Sequence, residues 1–197
     1  MLAEYKVGSA KASVLNNDDF YQLPGTGPLT DGAWVKDWPE KIADCEECTL
    51  KLKGALYGRI SIKEEYLGRR SLPSDPLPFQ IQQREDQDRT QYAVVETHER
   101  VHEKIQGEHW NSLVTDFNPW DNHVFKRVNC CRVWKRYINA ASELEKADAQ
   151  VKHAEWDIQD DSKNYLQSAT EAYNKAKAYF DLLGDPAKDA NCSHENE

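Results

Sequence analysis

The stretch that decides how this sequence is interpreted is VVETHERVHEKIQGEHW, residues 94–110. It contains three histidines and four glutamates. Residues 98–102 read His-Glu-Arg-Val-His, which is the H-E-x-x-H pattern. Residues four apart on an α-helix are separated by a little over one turn and so face the same way. The imidazoles of His98 and His102 are therefore placed to bind one metal ion together.

The same stretch has the period of an amphipathic helix. From Asp88 or from Thr90, a residue suited to the N-cap, apolar and histidine residues recur at steps of three and four. This predicts a helix whose apolar side carries Val94, Val95, His98, Val101, His102, Ile105 and His109. A solvated, charged helix would place its histidines elsewhere, so we favour a metal-site helix. The alternative, in which both histidines belong to the core and bond to backbone groups, stays open.

The sequence before this helix contains segments with the two-residue period of β-strands. Alternating apolar and polar residues predict a β-hairpin within residues 49–67, turned between Gly54 and Gly58, and a third strand at residues 79–85. Residues 38–48 have a proline near the start of a short helical pattern. Residues 1–35 are rich in glycine, proline, asparagine and aspartate, which is typical of loop with one short strand.

Two long helices are predicted after the motif. Residues 111–128 resemble a loop, residues 129–158 have a helical period, and a second helix from Asp161 or Ser162 stops at Gly184. We expect one domain, residues 1–197, with a sheet and active-site helix at 36–128, a helical part at 129–184 and a loose tail at 185–197. The predicted fold class is α+β, with a small antiparallel or mixed sheet packed on the H-E-x-x-H helix.

Composition excludes several classes of protein. The net charge is −9, whereas a protein that grips phosphate backbones needs a basic surface, so we expect no nucleic-acid partner. No stretch approaches the ~20 apolar residues that a membrane span requires, so we expect no membrane insertion. The first residues lack the apolar segment of a signal peptide. Localisation stays open, including secretion or delivery by a specialised system and an origin within a longer chain.

The five cysteines are Cys45, Cys48, Cys130, Cys131 and Cys192, an odd number that cannot all pair internally. The C-x-x-C spacing of Cys45 and Cys48 has no second cysteine or histidine pair at zinc-finger spacing. Structural thiols or disulfides are therefore the preferred interpretation, and for the adjacent Cys130 and Cys131 we expect a disulfide to another cysteine.

The motif and its context resemble the zincin metallopeptidases, which are named for the H-E-x-x-H helix. Strands before the motif and helices after it match the order of elements in that fold, over about residues 45–150. The metzincin extension H-E-x-x-H-x-x-G-x-x-H is absent, because Ile105 and Glu108 stand where its glycine and third histidine belong. The sequence is more similar to the gluzincins, which implies a Zn²⁺ ion held by His98, His102 and a glutamate on a following helix.

The third zinc ligand is the least determined part of this prediction. Helical phase places Glu145 at the edge of the buried side of the helix after the motif, and we predict it as the ligand. A break at Gly107 would bring residues of the motif helix itself to the ion. The alternatives that stay open are Glu143, Glu155, Glu108 and His109, with Asp148 as a ligand or as a carboxylate that orients a ligand histidine.

The resemblance implies a zinc-dependent peptidase in which Glu99 is the general base. An oxyanion donor would come from His109, His123 or Tyr137, and a strand edge would hold an extended peptide. The expected substrate is a protein, a peptide or a peptidoglycan cross-link. The chain's small size would suit a bacterial toxin or effector domain, which would have a cognate inhibitor or immunity protein. The alternative is a helical interaction module without catalysis, in which His98 and His102 are core residues or bind a structural metal.

Overall fold

The fold is α+β, as the sequence predicts. A computed structural model describes residues 1–23, 26, 32–63, 78–157, 163–189 and 192, without the side chains of 78–94 and 163–164. In these residues seven short strands precede three long helices, and none of the helices is long and apolar enough to cross a membrane. The chain divides into two compact units. We name them the sheet unit, residues 7–37 and 57–104, and the helical unit, residues 1–6, 38–56 and 105–197.

The sheet unit contains a mixed three-stranded sheet in the order β2-β7-β3. Strand β7 (Tyr57–Lys63) pairs in parallel with β2 (Ala12–Leu15) and antiparallel with β3 (Gly32–Asp37). A one-turn helix, α1 (Asn17–Phe20), follows β2. The β-branched residues of β7 suit a buried strand. The core of this unit consists of Ala10, Ile60 and Ile62, with Ala12, Trp34 and Val95 packed against it. Since Val95 lies on the motif helix, the sheet packs on that helix, as predicted.

The motif helix is longer than predicted. Helix α2 spans Pro78–Phe117, so the strand predicted at residues 79–85 is wrong, as is the first part of the loop predicted at 111–128. Two alternating apolar residues were too few to define a strand among glutamines, an arginine and a glutamate, which are good helix formers. At the other end, Trp110, Leu113 and Phe117 are buried at helical spacing. The buried face differs from the predicted apolar side, because Glu99, Glu103 and Gln106 are buried, whereas Val101, Ile105 and His109 are half-buried.

The strands of the helical unit pair differently from the prediction. Strands β4 (Ala43–Glu46) and β5 (Thr49–Leu52) form an antiparallel hairpin, so the short helix at 38–48 and the hairpin within 49–67 are both wrong. Strands β1 (Leu2–Ala3) and β6 (Gly54–Ala55) pair in parallel. Local alternation predicts that a segment is a strand, but pairing depends on partners distant in sequence.

The C-terminal helices agree with the prediction. Helix α3 spans Val128–Asp157 and α4 spans Lys163–Leu183, which ends at Gly184 with φ of +65°. The predicted caps Asp161 and Ser162 lie outside the described residues. Short 3₁₀ helices follow α2 at Asn118–Trp120 and α4 at Pro186–Lys188.

Two disulfides join α3 to its surroundings in the helical unit. Cys45 of β4 is bonded to Cys131, and Cys130 is bonded to Cys192 in the segment predicted as a loose tail. Cys48 is a free thiol. The expected disulfide at the adjacent cysteines is confirmed, and each of the two has its own partner.

Candidate functional site

The two histidines of the motif are brought together on α2. His98 Nε2 and His102 Nε2 are 3.0 Å apart, and the rings meet edge to face with centroids 4.8 Å apart. His102 is buried and His98 is half-buried. Two nitrogens each ~2.05 Å from one zinc ion would lie about 3.3 Å apart at the tetrahedral angle. The expectation that both imidazoles face the same point is therefore confirmed.

The two histidines are chemically suited to bind a metal ion. Both belong to a group of side chains that could hold one. Imidazole nitrogen is a common ligand of zinc at catalytic sites.

Glu99 is buried against the sheet of its own unit. Its side chain packs on Gly32 of β3, so close that a Cβ at Gly32 would lie 2.9 Å from Glu99 Oε1. The same Cβ would lie 2.5 Å from Cγ1 of Val95, one turn earlier on α2. The absence of a side chain at Gly32 therefore allows the motif helix to approach the strand and sets the position of the Glu99 carboxylate.

Glu103 fixes the same part of α2 to the start of the sheet unit. Its fully buried carboxylate accepts hydrogen bonds from the backbone N–H groups of Gly8 and Ala10, at 2.9 and 3.0 Å. Its other oxygen accepts from Arg100 Nη1 at 2.9 Å, while Arg100 Nη2 donates to Glu96. The hydrogen bond to Glu103 outweighs burial and, with that to Glu96, raises the pKa of the Arg100 guanidinium.

Glu145, the predicted third ligand, lies beside His109 in the helical unit. His109 Nδ1 is 2.6 Å from Glu145 Oε2, a distance at which the imidazole N–H donates to the carboxylate. His109 Nε2 lies 3.8 Å from Asp148 Oδ2. Glu143 and Glu155 are exposed and pair with Lys146 and Lys152. The observed partner of the Glu145 carboxylate is His109. A metal role for Glu145 stays a prediction.

An open cleft lies next to this histidine, between α2 and α3. It has a volume of about 490 Å³ and is lined by Ile105, Glu108, His109, Asp148, Lys152, Glu155 and Trp156. Lys152 Nζ is 3.0 Å from Glu155 Oε2, and this hydrogen bond raises the pKa of the lysine, which keeps its charge at neutral pH.

The other predicted oxyanion donors belong to an aromatic cluster of the helical unit. His123 contacts Trp120 and Phe125 edge to face. Tyr137 packs between Phe117 and Phe180, and burial raises the pKa of its hydroxyl. These contacts are those of packing residues. Trp110 and Trp134 are also buried.

The sequence does not reveal the buried polar residues of α2. Glu103 and Gln106 lie beside the stripe that apolar spacing predicts, and glutamate and glutamine are usually exposed on a helix. Gln106 is fully buried, and its Nε2 is 2.7 Å from His153 Nε2.

The chain matches no protein-family profile, no curated protein and no solved structure. The resemblance to the zincins therefore depends on the motif and on the order of elements. The side chains of this chain are therefore the basis for the chemistry of the site.

Proposed function

We propose that the protein is a zinc-dependent hydrolase of peptide or amide bonds, with His98 and His102 as zinc ligands and Glu99 as the general base. The observation that carries the proposal is the convergence of two imidazole nitrogens, 3.0 Å apart, on the helix that carries the H-E-x-x-H motif. When two neutral imidazole nitrogens face each other, only one of them can carry a proton. A metal ion between them would instead bind the lone pairs of both nitrogens.

The ligands support zinc as the metal. Imidazole nitrogens suit zinc, and a catalytic zinc site has three protein ligands and keeps one position for water or substrate. The third ligand that the sequence predicts is the carboxylate of Glu145.

The proposed mechanism assigns the proton transfers to Glu99. When bound, zinc would supply Lewis acidity, polarising the scissile carbonyl and lowering the pKa of water. Glu99 would accept a proton from the attacking water and return it to the leaving amine. Packing against Gly32 limits the conformations of the Glu99 side chain, so the carboxylate would be oriented before substrate binds.

The disulfides support a place of action outside the reducing cytosol. Four of the five cysteines are paired, and such bonds persist in secreted proteins and are rare in the cytosol. We therefore propose that the protein is exported or delivered to an oxidising compartment. A secreted toxin or effector that acts on protein or peptidoglycan fits this compartment, and such a toxin would require an inhibitor in the cell that makes it.

The first test is the zinc content of the oxidised protein after dialysis without chelator. We expect about one zinc per chain for the wild type and almost none for His98→Ala. Circular dichroism spectra establish that both proteins are folded. A folded wild type without zinc, after incubation with a stoichiometric excess of the metal, overturns the proposal.

The third ligand is tested with Glu145→Gln, and Glu143→Gln on the same helix is the control. Both changes remove one negative charge from α3 and nearly preserve side-chain shape. We expect Glu145→Gln to weaken zinc binding by more than roughly 100-fold, since loss of a residue that only supports a ligand already costs about 10–100-fold. Glu143→Gln should retain affinity. Equal affinities of the two variants would exclude Glu145 as the ligand.

The role of Glu99 is tested with Glu99→Gln, and Glu96→Gln on the same helix is the control. Glu99→Gln should retain zinc and lose about 10²–10⁴-fold in turnover of a cleaved peptide or peptidoglycan fragment. Glu96→Gln should retain both zinc and activity. Full activity of Glu99→Gln would exclude a general-base role for this residue.

A second candidate function is supported by α4. Tyr165, Tyr179 and Leu182 on this helix are exposed, Leu182 to 82%. Large exposed apolar side chains suit a helical interaction module. If the protein is such a module, His98→Ala and Glu99→Gln should bind the partner as tightly as the wild type.

A further inference from the structure

The cleft between α2 and α3 has the size of a ligand site. Its volume of about 490 Å³ falls within the range of roughly 300–1,000 Å³ that is typical of small-molecule and side-chain pockets. Both walls belong to the helical unit: Ile105, Glu108 and His109 on α2, and residues 148–156 on α3. Two regular helices hold these side chains, which makes the cleft more rigid than one formed by loops.

The charge of the cleft favours a cation. Its lining carries the three carboxylates of Glu108, Asp148 and Glu155 against the one ammonium group of Lys152. That ammonium group is hydrogen-bonded to Glu155, and Glu145 lies behind His109 as a fourth carboxylate. A concave surface with an excess of charges of one sign concentrates ions of the opposite sign. The carboxylates of the cleft belong to no three-ligand metal group among the described residues, so an organic cation fits better than a metal ion.

The apolar residues of the lining indicate which kind of organic cation the cleft would bind. Ile105 and the indole of Trp156 lie in the same cleft as the carboxylates. Lysine and arginine combine an alkyl stem, which packs on apolar groups, with a charged end that carboxylates bind. A cation over the face of an indole is attracted to the ring as well. We propose that this cleft receives the side chain of a lysine or arginine residue of a polypeptide.

The helix that carries the motif also forms one wall of the cleft. Ile105, which lines the cleft, follows His102 by about one turn on α2. That the bound polypeptide is the substrate rests on the proposed function. On that premise the cleft is a specificity subsite, and the protein hydrolyses bonds near a basic residue.

The test uses binding, so that it does not depend on catalysis. The probes are four acetylated, amidated pentaalanine peptides whose central residue is lysine, arginine, norleucine or glutamate. The oxidised wild-type protein, labelled with ¹⁵N, is titrated with each peptide. The readout is the indole N–H resonance of Trp156, identified by its loss in Trp156→Phe. Norleucine is the control for the alkyl stem without its charge.

Lysine and arginine peptides should shift this resonance in a saturable way, and the glutamate peptide should not. In Asp148→Asn/Glu155→Gln the affinity for the lysine peptide should fall roughly fivefold or more. Glu143→Gln is the matched control, since Glu143 and Lys146 form an exposed pair on the same helix with the same spacing as Lys152 and Glu155. That control should bind the lysine peptide like the wild type.

Two results would overturn the inference: equal binding of norleucine and lysine peptides, or no effect of any peptide on the Trp156 resonance. The zinc content of the same samples separates this outcome from failure of the proposed function. Zinc bound without basic-peptide binding rejects the subsite and leaves the hydrolase. Basic-peptide binding without zinc supports the cleft as a polypeptide site and rejects the hydrolase.

Discussion

Replacement of Glu103 by glutamine should destabilise the sheet unit more than the same replacement of Glu96 on the same helix. Glu103 is fully buried and accepts hydrogen bonds from the N–H groups of Gly8 and Ala10 and from Arg100. In Glu103→Gln the amide oxygen can still accept from both backbone groups. The amide nitrogen would face the Arg100 guanidinium, so two donors would meet where a donor and an acceptor meet now.

The magnitude follows from the burial of the two partners. Loss of one member of a buried ion pair costs about 3–5 kcal/mol. The Arg100 side chain is 31% exposed, so water can solvate part of its charge and reduce the penalty. We therefore expect the free energy of unfolding to fall by about 2–4 kcal/mol.

Glu96→Gln is the matched control, because it removes the same charge from the same helix and from the same arginine. Glu96 is 30% exposed and accepts from Arg100 Nη2 at 2.9 Å. A pair of this kind contributes about 0–1 kcal/mol. The measurement is urea unfolding at pH 7 with the disulfides intact, followed by far-ultraviolet circular dichroism and by tryptophan fluorescence. If Glu103→Gln loses no more stability than Glu96→Gln, the buried carboxylate does not hold residues 8–10 on the motif helix.

Three further predictions concern other features. Gly32→Ala should destabilise by about 1–3 kcal/mol, measured by urea unfolding, because the new Cβ would overlap two side chains of α2; wild-type stability would contradict this packing. Cys45→Ala/Cys131→Ala removes a disulfide with a sequence separation of 86, and by the loop-entropy relation the free energy of unfolding should fall by about 4–5 kcal/mol. Cys48→Ser should leave stability almost unchanged. The melting temperatures of the two variants and the wild type test this difference. Burial opposes ionisation of Asp121, but hydrogen bonds from the Leu52 N–H and the amino terminus outweigh it and lower the pKa of this carboxyl. The ionised carboxylate therefore stabilises the folded state above pH ~4, and this stabilisation is lost as the pH falls through the folded-state pKa. Asp121→Asn should lose less stability than the wild type between pH 7 and pH 3, and an equal loss would contradict this role.

The parts of the fold that sequence could predict are those set by local periodicity. The helices α3 and α4 and the glycine that ends α4 each depend on residues within a few turns of one another. The relation between His98 and His102 is local in the same way, since one helical turn fixes it. The α+β class follows from the order of such segments.

The parts that sequence could not predict depend on distant residues. Whether β5 pairs with β4 or with β7 is decided by packing across the chain, and alternation of apolar residues looks the same in both cases. The contact of Glu99 with Gly32 likewise joins residues that no local pattern connects.

The buried stripe of α2 distinguishes the two interpretations of the histidines. Besides apolar residues such as Trp110, α2 buries four polar side chains, although core helices normally bury apolar ones. Two of them, Glu103 and Gln106, are bonded to the backbone of residues 8–10 and to His153. The other two, Glu99 and His102, belong to the H-E-x-x-H motif. The Nε2 atoms of His98 and His102 lie 3.0 Å apart, and one metal ion could bind both of them. Departures from local rules concentrate at functional sites, which favours the metal site over a core pair.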